Sequence, residues 1–217
     1  MNYSQIVIFS LSIFIAAAIG AIRMKQIDTT FYPFIFCTWL ASINEIASLY
    51  ATSQHVNTAY NNNIYVLAEG LLITWQFKTW GFFRQNKSAF KLLMAILLVI
   101  WVLEYHSFQK LEFIGDNFRI TYSFLIVFMS IDLNNKLIYN VRGMLLKNPI
   151  FLICAGFILY FTFKIFIEAF LLYGIKASLA FYKDLFLILA WINLFTNILY
   201  AIALLCIPKK TFYTIPY

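Results

Sequence analysis

The sequence predicts an all-α membrane protein, a bundle of seven transmembrane helices with its N-terminus outside and its C-terminus in the cytoplasm. Three observations carry this reading. Of the 217 residues 63% are hydrophobic and only 12% are charged, about half the charged share of an ordinary soluble domain. Seven apolar segments each approach the roughly 20 residues that a helical span requires. The basic residues also fall mainly on one set of connecting loops.

The segments lie at about 5–22, 31–51, 64–82, 90–106, 118–138, 149–173 and 184–207, and together with short loops they use the whole chain. The first could be mistaken for a cleaved signal, because Ala16, Ala17 and Ala18 resemble a cleavage site. Its leading flank is uncharged, whereas Arg23 and Lys25 follow it, which is the wrong polarity for a secretory signal. It reads as a first span. The stretch Thr52–Asn63 is uncharged and rich in turn formers, so it reads as an external loop. Arg23, Lys25, Lys78, Arg84, Lys87, Lys91, Lys136, Arg142, Lys147, Lys209 and Lys210 fall on the other side, eleven in all. Lys110, Arg119, Lys176 and Lys183 make four on the outer side, joined there by Glu104, Glu112, Asp116 and Asp184. This asymmetry predicts the orientation and places the protein in the cytoplasmic (inner) membrane as a multi-pass protein. It also accounts for the net charge of +7 without nucleic acid, which is not an expected partner.

A 3+1+3 internal repeat is legible at an offset near 120 residues. Tyr3, Ser4, Ile6 and Phe9 parallel Tyr122, Ser123, Leu125 and Phe128, and Pro33 parallels Pro149. Glu45 with Leu49 and Tyr50 parallels Glu168 with Leu172 and Tyr173, and Leu67-Ala68 parallels Leu189-Ala190. Spans one to three and five to seven would be parallel copies joined by span four, an arrangement found in transporters. Chance matches in so apolar a chain are the alternative.

The candidate site is a set of charges inside the spans. A charge at bilayer depth costs about 2.5–3.5 kcal/mol on insertion scales, so Glu45, Glu69, Lys164 and Glu168 call for a reason. At 1.5 Å rise per residue, Glu45, Glu69 and Glu168 lie about 8–9 Å below the outer ends of their helices, and Lys164 about 14 Å. Lys164 and Glu168 are four apart and share a helix face with Tyr160, which predicts that they pair. Asn44, Tyr65, Asn193 and Asn197 lie on or beside the same polar stripes, and Trp191 stands near them on the last span. Lipid offers such stripes no partner, so they should face one another across the bundle. The alternative is a network that only locks helices together. Lys78 and Asp132 form a second candidate pair near the inner side, where Lys78 could equally snorkel to the interface.

Other chemistries lack support. Cys37, Cys154 and Cys206 sit singly in apolar runs and read as packing residues. His55 and His106 are too few for a histidine zinc site. No nucleotide-binding loop, nucleophile elbow or zinc-protease motif occurs. Neither a metal nor a cofactor is expected.

The stretch NPIFLICAGFILYFTFKIF and the later LAWINLFTNILYAIALLCIPKK, with Gly156, Tyr160, Asn197, Tyr200 and Ala201, resemble small seven-transmembrane-helix proteins of unassigned function common in Bacteroidota. Ile64, Tyr65 and Glu69 match the third span of that group. The resemblance implies the seven-span fold and no particular chemistry.

The expected function is receptor-like: a small polar ligand binds in an outward-facing pocket, and a cytoplasmic signalling protein receives the change. A transporter of a small polar or cationic solute is the principal alternative. A structural subunit of a membrane complex, and an intramembrane enzyme using one of the glutamates, are the others.

Overall fold

In the computed structural model, residues 3–105, 115–140, 144–172 and 179–209 are described. Among them the structure is all-helical, apart from an isolated antiparallel bridge between Ile27 and Lys209. The helices are α1 (Tyr3–Leu11), α2 (Ile13–Arg23), α3 (Tyr32–Ser53), α4 (Ala59–Thr79), α5 (Lys87–Leu103), α6 (Asp116–Asn140), α7 (Pro149–Leu172) and α8 (Leu179–Cys206). The backbone of Ser12, between α1 and α2, keeps helical dihedrals, so the two run on as one bent rod. Its hydroxyl donates to Phe9 O at 2.6 Å, which tightens the turn there. Lys110, Glu112, Arg142, Tyr173, Lys176, Lys210 and His106 lie outside the described residues.

Four segments are long and apolar enough to cross a membrane: Val7–Gln26, Thr29–Ser53, Pro149–Phe170 and Lys183–Cys206. Large apolar side chains also point away from the bundle on every rod. Ile22, Ile43, Leu92, Phe128, Phe166 and Leu205 are each more than half exposed. A surface this apolar has no stable contact with water and suits hydrocarbon.

Local chemistry explains the helix ends. Asn86 caps α5 by accepting Ala89 N at 3.1 Å. Asn148 caps α7 by accepting Ile150 N and Phe151 N, with Pro149 at the first helical position. Gly81 closes α4 with φ +82°, and Phe82 N reaches back to Phe77 O at 3.0 Å, the bond of a left-handed helix stop. His55 ends α3 in the same way, at φ +55°. Gln76 ties α4 to the start of α3: its Oε1 accepts Phe34 N at 2.7 Å and its Nε2 donates to Thr30 O at 2.6 Å. Arg23 donates to the carbonyls of Leu204 and Ile207 at the end of α8.

The expected external loop over Thr52–Asn63 is shorter than its composition suggests. Helix α4 begins at Ala59, whose N–H is accepted by Asn57 Oδ1 at 2.9 Å. Asn61 and Asn62 are drawn into the helix because Asn61 donates to Asn44 at 2.7 Å and Asn62 accepts from Asn44 at 3.4 Å. Here a tertiary contact overrides turn propensity. Helix α8 starts at Leu179, five residues before the expected apolar segment.

Six rods close into a ring in the order α1/α2, α3, α4, α6, α7, α8 and back to α1/α2. Helix α5 lies outside the ring against α4 and α6, and Leu97 is its buried residue. Close approaches tighten the ring. A Cβ on Gly20 would lie 3.1 Å from Ile35, and one on Gly156 would lie 2.5 Å from the Tyr200 ring.

Candidate functional site

All six rods of the ring contribute to one cavity of about 340 Å³, at the small end of the range for ligand pockets. One end is lined by the half-exposed Ser10, Asn44 and Asn62. Their partial exposure marks this end as the mouth. The other end is floored by aromatic rings. Phe34 meets Tyr200 edge-on at 5.1 Å and Phe157 at 6.0 Å, and Phe157 meets Tyr200 at 5.7 Å. Phe77 backs this layer 6.2 Å from Phe157 and is fully buried. Edge-to-face aromatics at such spacings are mutually stabilising.

The charged groups meet in the middle. Glu69 sits on α4, one turn beyond Tyr65. It accepts Tyr65 Oη on Oε1 at 2.6 Å and Tyr122 Oη on Oε2 at 2.6 Å. Lys164 reaches across from α7 to Glu69 Oε2 at 3.3 Å and also contacts the Tyr122 hydroxyl. Three rings surround the ammonium: Tyr122 at 5.0 Å, Phe161 at 5.5 Å and Tyr160 at 5.6 Å. Lys164 is 7% exposed and Glu69 5%, so the pair is cut off from bulk water and needs each of these partners.

Glu168 does not pair with Lys164, as the four-residue spacing led us to expect. Its Oε1 meets Arg119 NH1 of α6 at 3.4 Å, and Arg119 NH2 continues to Asn63 Oδ1 at 3.3 Å. Each α7 charge thus has a partner on another helix: Lys164 reaches across the cavity to Glu69 on α4, and Glu168 meets Arg119 on the adjoining α6. A cross-helix carboxylate that already holds two tyrosines offers Lys164 a more complete shell than a same-helix neighbour can.

The remaining expected residues divide. Glu45, Tyr65, Glu69, Tyr160, Lys164, Glu168, Asn193 and Asn197 line the cavity, with Asn44 at its rim. Asn197 donates to Ser12 Oγ at 2.8 Å, joining α8 to the bend between α1 and α2. Glu45 makes no hydrogen bond or ion pair among the described residues. Trp191 is not part of the lining; it is 56% exposed and packs on Phe9 at 4.6 Å. Lys78 and Asp132 do not meet. Asp132 pairs with Lys136 one turn along α6 at 2.5 Å, while Lys78 lies over the Phe90 ring at 4.3 Å. The same-helix partner wins at this exposed place because it needs no cross-helix reach.

Sequence reasoning missed Arg119, Tyr122 and Thr196. Arg119 entered only as one of four basic residues on the outer side, yet it stands one turn before Tyr122 on the buried face of α6. Glu104 was another missed residue. Its two oxygens accept Asn117 N at 3.0 Å and Phe118 N at 2.7 Å, capping the start of α6, where a carboxylate also suits the helix dipole. Just outside the fifth expected span, burial and the Glu168 carboxylate push Asp116 up to about 6. Among the described residues no group of His, Cys, Asp and Glu is arranged to hold a metal ion.

Comparison with family models, with curated proteins and with solved structures finds no match for the chain.

Proposed function

We propose that the chain is a seven-span protein of the cytoplasmic (inner) membrane, N-terminus outside, which binds a small polar ligand in an outward-facing pocket and signals to a cytoplasmic protein. The carrying observation is the cavity, polar toward its mouth and floored by Phe34, Phe157 and Tyr200. A closed floor supports sensing over conduction, because the ligand would act by moving helices without passing between them. The paired charges suit this role. A ligand that engages Lys164, Arg119 or their carboxylates would re-partition contacts among α4, α6 and α7 and so shift one helix arrangement toward another. The eleven-to-four split of basic residues supports the orientation.

A transporter is the second reading. The ring favours it, since α1/α2–α3–α4 and α6–α7–α8 touch in matching order, with α5 outside as the linker of a 3+1+3 repeat.

Orientation and access are tested together. Reporter fusions at Asn57 and after Lys209 should report opposite faces. Asn193→Cys, in a Cys37→Ala background, should react with a membrane-impermeant thiol reagent added outside. Reaction only from the cytoplasmic face would sink the proposal, and reaction from both faces would favour the transporter.

A further inference from the structure

We infer that the cavity takes a small organic cation, a protonated amine on an apolar body, with the Glu45 carboxylate as its counter-ion; this rests on the reading of the cavity as a ligand pocket.

The charges of the cavity leave one residue over. Glu69 is neutralised by Lys164 and Glu168 by Arg119. Glu45 also lines the cavity, from α3, and no basic side chain among the described residues pairs with it. Three carboxylates against two cations leave the lining one negative charge in excess. A partly buried carboxylate without a counter-charge draws a cation, because its surroundings screen the attraction less than open water does.

A second, independent observation lies on α8. Thr196 is 1% exposed and lines the cavity, yet its Oγ1 has no hydrogen-bond partner. A buried hydroxyl is seldom left so, and this one, facing the cavity, has a hydrogen bond to offer a bound molecule. Asn193, one turn earlier, lines the same space. A carboxylate, a hydroxyl and an amide oxygen match the three donors of a primary ammonium. The apolar lining mixes aliphatic side chains with the rings of Phe34, Phe157, Phe161 and Tyr160, and ring faces accept both a cation and an apolar body. Arg119 Nε is also without a partner, but its guanidinium charge is already met by Glu168, so an anion would have to displace that carboxylate.

The test uses the full chain in phosphatidylcholine nanodiscs with three probes of one shape: phenethylamine, phenethyl alcohol and phenylacetate. Calorimetry and thermal shift should show phenethylamine bound about tenfold or more tighter than the alcohol, with phenylacetate weakest. Glu45→Gln should abolish that preference while leaving the melting temperature of the unliganded protein near wild type, since the carboxylate has no partner to lose. Thr196→Val should weaken amine binding several-fold. Equal binding of amine and alcohol, or an amine preference that survives Glu45→Gln, would overturn the inference. Preference for phenylacetate would overturn it too while leaving the ligand pocket standing. Failure of all three probes, with Asn193→Cys closed to outside reagents, would remove both.

Discussion

Replacing Lys164 by Met tests the centre of the network. The substitution keeps the length of the stem and removes the ammonium. Glu69, 5% exposed, then keeps its two tyrosine donors at 2.6 Å but loses its counter-charge at 3.3 Å. Removing one partner of a buried ion pair costs about 3–5 kcal/mol. The two tyrosines still solvate the carboxylate, so the low end, about 3 kcal/mol, applies. For a chain of this size a loss of 1 kcal/mol lowers the melting temperature by roughly 2–4 °C, so Lys164→Met should melt roughly 6–12 °C lower in detergent. Adding Glu69→Gln removes the stranded charge and should restore part of that loss, with a coupling energy of about 1–3 kcal/mol in a double-mutant cycle. Adding Glu168→Gln should restore little, because Glu168 is held by Arg119. A cycle in which Glu168 couples to Lys164 as strongly as Glu69 does would refute the pairing. So would a Lys164→Met protein with unchanged melting.

Four further outcomes follow from the same geometry. The raised Asp116 means that between about 4 and 6 the folded protein holds more protons than the unfolded chain, whose Asp titrates near 3.8; stability from this group is therefore greatest at the acid end, declines as pH rises through about 6 and is flat above, and melting curves of Asp116→Asn should lack that decline. Gly156→Ala places a Cβ 2.5 Å from the Tyr200 ring, so the ring must leave the cavity floor, at a cost of about 1–3 kcal/mol seen as lower melting; an unchanged melting temperature would show that the floor yields freely. Glu104→Ala removes the carboxylate that caps α6 and should cost about 1–2 kcal/mol, whereas Lys78→Met and Asp132→Asn, which do not form a pair with each other, should each stay within about 0.5 kcal/mol of wild type.

The helices were legible from the chain alone because their cause is local. A run of apolar residues near 20 long favours a helix whatever it packs against, because lipid leaves its backbone groups no other partner. The polar candidates were legible for the same reason: Glu69, Lys164 and Glu168 stand out in any apolar helix, whatever surrounds it. Which group would meet which was not. Lys164 turns to Glu69 and Glu168 to Arg119 because α7 lies in the ring with α4 and α6 within reach, and neither adjacency nor helix rotation leaves a periodic mark in a sequence apolar all round. The same lack hid the place of α5 outside the ring, the exposure of Trp191 and the separation of Lys78 from Asp132. Glu104 as a cap and Thr196 as an orphaned hydroxyl belong there too, for each depends on distances between residues that only the packed bundle brings together.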